Sequence, residues 1–264
     1  MRVALGAWTG ASCEVCPGLD AGADENGERM RRSFRSFLVA CAAAIGLAAA
    51  VAAPGASAAA SSAPPSATGS FQTSASTSVP AGYQRVGGTT QGISIAIPSS
   101  WATVNLAKLN LKQALNQMGL KGVSQATLSQ NLQALIKLKA IFAADLKSVS
   151  SSPGHFATNI NAYCSKSGTS ATGSAGVPLL RESAKEELPQ VLHAQHVTVT
   201  EVKIGGVPGV QVGYTLTSTT SGTLHAAQLE VLPRPGRACF VTLTAAGPLP
   251  GGVLPTAAAT AQFP

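Results

Sequence analysis

The chain has 264 residues, a formal net charge of +7, and only 11% charged and 5% aromatic residues. The first 58 residues balance five basic with five acidic side chains, so the 13 basic and six acidic ones beyond them carry all of the excess. Abundant Ala, Gly, Ser and Thr suit a secreted protein better than a charged cytosolic enzyme. The few aromatics also argue against nucleic acid as a partner, since there is little to stack on bases.

From Met30 the chain reads as a secretory signal. Arg31, Arg32 and Arg35 supply a positive start, Phe37 to Ala53 an apolar stretch, and Ala56-Ser57-Ala58 small residues for cleavage after Ala58. The apolar stretch is Ala-rich and near the lower length limit for spanning a bilayer, so no retained transmembrane helix is expected. Leu38-Val39-Ala40-Cys41 spells a lipobox, but most of the apolar stretch follows it instead of preceding it, which disfavours a lipid on Cys41. Arg31-Arg32 only partly matches a twin-arginine signal, and the Sec route is preferred. Residues 1–29 read as a non-native upstream extension. They include Cys13 and Cys16 in a lone CxxC with no second pair, so no zinc or redox site is assigned there. Residues 59–80 are Ala, Ser, Thr and Pro with one Phe, a composition expected to form a disordered spacer. One domain over 81–264 is expected to follow.

Ile93, Ile95 and Ile97 alternate with small residues up to Pro98, which predicts a strand, with Trp101 just beyond it at one end of the core. Val104, Ala107, Leu111, Leu115 and Met118 fall on one helical face and Gly119 is placed to end it. Leu128, Leu132, Leu135, Leu138, Phe142 and Leu146 form a second stripe after a Ser124 cap, so a two-helix hairpin is predicted. Phe156 to Cys164 read as a strand, 165–176 as a loop, and Leu179 to Leu192 as a helix that Pro189 ends or kinks. Val197 and Val199 change parity against Val202 and Ile204, which predicts a bulge near Thr200 or Glu201. Gly205 to Gly209 turn the chain. Val210 to Leu216, His225 to Val231 and Cys239 to Leu243 then predict an antiparallel meander. The fold class is α+β: an antiparallel sheet with helices packed on one face.

This order resembles the LpqN/LpqT family of actinobacterial exported lipoproteins. The likeness rests on Ile97-Pro98 with Trp101, on Thr158-Asn159-Ile160-Asn161, and on Gly205-Gly206-Val207-Pro208-Gly209 running into Val210-Gln211-Val212. It covers about 83–245. It implies a PsbP-like α/β sandwich in the cell envelope with no established catalytic residues. The absence of a well-placed lipobox is a departure from the family.

Little familiar chemistry is available. Cys164 and Cys239 both lie on the inward parity of strands, and an oxidising compartment favours a disulfide between them. Two buried free thiols on non-adjacent strands are the alternative. His193 and His196 form an HxxH where a helix gives way to a strand, and solvated or capping roles are expected. His225 should be half-buried on an inward face. Asp145 is the only Asp beyond the signal, and Glu182, Glu186 and Glu187 are placed on a helix surface. No GxSxG, Ser-x-x-Lys or phosphate-loop pattern occurs, and no cofactor or metal is expected. Lys108, Lys112, Lys121, Lys137, Lys139 and Lys147 stand against Asp145 alone on the helical hairpin, forming a possible basic docking face. Three functions follow: a monomeric, non-catalytic envelope protein binding an apolar or lipid-like ligand or a protein partner; a module docking its basic hairpin on anionic envelope components; or an enzyme with an unrecognised site, which a closed cleft gathering His193, His196 and Glu201 would indicate.

Overall fold

The computed structural model describes residues 78–105, 135–218 and 221–264. The export signal with Cys41 and Ala58, the CxxC, most of the spacer, and Lys108, Lys112 and Lys121 lie outside them. So does the part of the expected two-helix hairpin that falls on residues 106–134.

Nine strands and two helices that lie wholly within the described residues make an α+β sandwich. The strands are β1 Tyr83–Gly88, β2 Ile93–Pro98, β3 Ala102–Asn105, β4 Ile141–Asp145, β5 Thr158–Lys166, β6 Gln195–Ile204, β7 Val207–Ser218, β8 Gly222–Arg234 and β9 Arg237–Ala245. The helices are α1 Gly173–Leu192 and α2 Val253–Thr260. Seven strands form one antiparallel sheet in the order β3-β4-β5-β9-β8-β7-β6, and β1 and β2 pair as a separate hairpin. The expected meander is its β7-β8-β9 part, extended by β6.

Helix α1 lies across β6, β7 and β8, burying Gly176, Val177, Leu180, Ala184 and Leu188. Gly176 permits the close approach, since a Cβ there would come within 2.7 Å of Leu232 Cδ1. Pro178 and Pro189 sit inside α1 without ending it. Both are exposed, as are Ser174 and Lys185 four residues earlier, so the freed carbonyls face water. His193, in the left-handed region at φ 53°, terminates the helix.

The other side of the sheet is covered as well, by the β1-β2 hairpin and α2. Ile93, Ile95 and Ile97 pack there with Ile160, Leu229, Val241 and Leu254. The sheet therefore separates two apolar cores, and this corrects several expectations. No bulge occurs at Thr200 or Glu201: pairing is continuous from Thr198 to Ile204, and the register shift lies between Gln195 and Thr198. Val197 and Val199 pack toward α1, and Val202 and Ile204 toward the opposite core, so the parity change needs no extra residue. Val104 belongs to β3 and Phe142 to β4, not to helices. A helix does reach Lys137, but Lys139 adopts φ 53° and the chain becomes extended. Ile141 and Ala143 serve one core and Phe142 and Ala144 the other, so an unbroken apolar run imitates a helical stripe. Leu146 lies in a 3-10 turn and is 48% exposed.

Candidate functional site

Polar side chains line the α1-facing side of the sheet at its centre, where apolar ones would be expected. Strand pairing sets Asn161 of β5 opposite Thr242 of β9, and Thr242 opposite Gln228 of β8. In the next row Asn159 lies opposite Thr244. Glu230 follows Gln228 on the same side, opposite Phe240. All six polar residues are at most 2% exposed.

Part of this floor is internally satisfied. Thr242 Oγ1 donates to Gln228 Oε1 at 3.0 Å, and Gln228 Nε2 donates to Glu230 Oε1 at 2.7 Å. Asn159 Nδ2 donates to the Ala157 carbonyl at 3.0 Å. The rest is not: Asn159 Oδ1, both side-chain heteroatoms of Asn161, and Thr244 Oγ1 are buried with no hydrogen-bond partner. Each such group costs about 1–3 kcal/mol unless something completes it. The surroundings are apolar. Phe142 and Ala144 of β4 stand opposite Asn161 and Asn159, and Tyr163 stacks on Phe240 with ring centres 5.4 Å apart.

Burial pushes the Glu230 carboxyl up from 4.5 to about 8; the hydrogen bond from Gln228 opposes the shift and the nearby Glu187 carboxyl adds to it. Glu230 is thus a neutral acid at pH 7. Glu187, expected on the helix surface, is half-buried, with Oε2 shielded from solvent. The floor offers hydrogen-bond donors and acceptors in a dry, apolar setting.

The residues singled out in the sequence lie elsewhere. Cys164 and Cys239 are directly paired on adjacent β5 and β9 and joined by a disulfide, with Cα atoms 4.1 Å apart. His193 and His196 are exposed, and His196 Nδ1 shares a hydrogen bond with Thr215 Oγ1 at 3.1 Å. Glu201 is exposed and ion-paired with Arg181, so no closed cleft gathers it with the two histidines. His225 is exposed, contrary to expectation: it lies near the start of β8, beyond the cover of the second core. Lys137 and Lys139 precede β4 while Lys147 follows it, so these three do not share one helix face. Among the described residues no group of three or more His, Cys, Asp or Glu could hold a metal ion. No described helix is long and apolar enough to cross a membrane.

The floor residues were missed because the meander was read with one buried parity. In β8 the run Ala226 to Leu232 is apolar on both parities except for Gln228 and Glu230. Two polar residues of one parity inside a doubly apolar run were the available signal.

The site thus belongs to a two-core α+β sandwich with a polar patch buried against one side of its sheet. No family model and no curated protein matches the chain. Among solved structures, the solution structure of cyanobacterial PsbP (CyanoP) from Synechocystis sp. PCC 6803 aligns at 13% identity and a TM-score of 0.42. The alignment covers 73% of this chain and 99% of that one.

Proposed function

We propose that this is an exported, non-catalytic binding protein of the cell envelope, which holds an apolar or lipid-like ligand with its hydrogen-bonding end against the polar floor. The observation that carries the reading is Asn161, whose carboxamide is fully buried between Phe142 and Thr242 with neither end hydrogen-bonded. A ligand is favoured over a protein partner because groups this deep are out of reach of another protein's surface. Export is supported by the signal-like segment from Met30 to Ala58 and by the Cys164–Cys239 disulfide, which suits an oxidising compartment. A binding role is supported by the floor's makeup of amides, hydroxyls and one neutral acid.

The test is extraction and mass spectrometry of protein purified from its native host, alongside an Asn161→Leu, Thr244→Val variant. Wild type is expected to carry a defined small molecule that the folded variant lacks. Protein that is repeatedly free of any extractable molecule would overturn the reading.

A further inference from the structure

Three cations stand side by side at one end of the sheet with no Asp or Glu among them. Lys166 ends β5, Arg237 opens β9 and Arg234 ends β8, and the register pairs Lys166 with Arg237 and Arg237 with Arg234. Directly opposed like charges repel, so such a row is unfavourable unless something of opposite sign lies against it. None of the three is ion-paired with an Asp or Glu among the described residues; Arg237 alone reaches an oxygen of the last residue, Pro264, and Lys166 and Arg234 stay exposed.

The row borders an open cleft of about 330 Å³, completed by Cys164, Ser165, Pro235 and Gly236. The cleft is held in shape. Gly236 N donates to Thr169 O at 2.9 Å and Ser167 N to Gly236 O at 2.8 Å, tying the β8-β9 turn to the chain beyond β5. Two residues inward, the Cys164–Cys239 disulfide fastens β5 to β9. Arg237 is half-buried, its guanidinium lying over Gly92 where a Cβ would overlap Nη2, and its Nη1 donates to Pro264 O at 3.5 Å.

We propose that this cleft is an anion site that takes a phosphate group. Guanidinium forks match phosphate oxygens in pairs, and an ammonium adds a point charge. Donors arriving from three strands suit a tetrahedral anion; a planar carboxylate with two oxygens meets fewer of them. The phosphate is either free or the headgroup of a lipid. The cleft stands apart from the polar floor, on the opposite face of the sheet, so either site can fail without the other.

The experiment has two arms on the disulfide-intact protein at low ionic strength. Inorganic phosphate is titrated calorimetrically, and co-flotation is measured with phosphatidylcholine vesicles with and without phosphatidylglycerol. Arg234→Gln with Arg237→Gln is compared with wild type and with Arg181→Gln, which lies outside the cleft. Each charge removed should weaken vesicle binding about fivefold, and Arg181→Gln should behave as wild type. Should Arg237→Gln impair folding, Lys166→Gln with Arg234→Gln changes only exposed side chains and serves instead. Binding of phosphate alone assigns a free anion, and binding of anionic vesicles alone assigns a headgroup; either supports the site if the variant loses it. Binding of neither probe, or equal binding by the double variant, overturns it.

Discussion

Glu230 ties the interior of this protein to pH. Its carboxyl is raised from 4.5 to about 8 when folded, chiefly by burial. Between those values the folded chain keeps a proton that the unfolded chain releases, so stability falls as pH rises across that window. The contribution is intact below about 4.5 and fully lost above about 8. Glu230→Gln keeps the shape and an oxygen to accept from Gln228 while removing the titration. The stability difference between variant and wild type should therefore grow in the variant's favour by up to about 1.4 kcal/mol per pH unit. Urea denaturation at pH 5, 6, 7 and 8 measures it, and a difference that stays constant with pH would contradict the assignment. Little of this was legible in the sequence: Glu230 is chemically ordinary until its parity is known to face a core, and its one trace is its place with Gln228 inside an otherwise apolar run. Asn159 and Asn161 were equally opaque: alternate polar residues in a strand usually mark its wet face.

At the level of elements, sequence patterns identified strands better than they separated strands from helices. The β6-β7 turn was readable because Gly205 and Gly206 take positive φ of 57° and 82°, the conformation a two-residue hairpin demands. Strand β4 was not, since Ile141 to Ala144 serve two cores at once and so show no period of two. Cysteine parity was informative, although adjacency of β5 and β9 could not be derived from it. The disulfide joins residues 75 apart in sequence, across the pairing that brings the N-terminal strands onto the meander. Closing a loop of that size restricts the unfolded chain, and replacing both cysteines by serine should cost about 2–4 kcal/mol. A lower denaturation midpoint with a steeper slope is the expected signature, since the freed unfolded chain exposes more surface. A stability equal to wild type would mean that β5-β9 pairing alone sets the linkage between the two halves.

For the molecule as a whole, the α+β class was legible, but the second layer was not. An antiparallel sheet with helices on one face is the economical reading of alternating strands, and it leaves the β1-β2 hairpin and the C-terminal segment without a task. The structure gives them one: α2 and the hairpin cover the face opposite α1. Val253, Leu254, Ala257 and Ala261 are buried there beside Ile93, Ile95 and Ile97. The segment is also stitched on by polar contacts, with Arg85 Nη1 donating to Thr260 O and Ala96 N to Thr260 Oγ1, each at 2.9 Å. Ser94 and Gln262 exchange backbone hydrogen bonds at 2.9 Å in both directions. Burial of a Val or Leu side chain is worth about 1.5–3 kcal/mol, so losing Val253 and Leu254 removes about 3–6 kcal/mol. That approaches the whole stability of a typical domain, about 5–15 kcal/mol. Deleting residues 253–264 should therefore leave the three isoleucines exposed and the sheet without one of its two cores. The expected result is strong binding of a hydrophobic dye, retained far-UV but diminished near-UV circular dichroism, and loss of a cooperative thermal transition. A truncated chain that melts cooperatively at the wild-type temperature would show that the α1-facing core suffices to fold the domain.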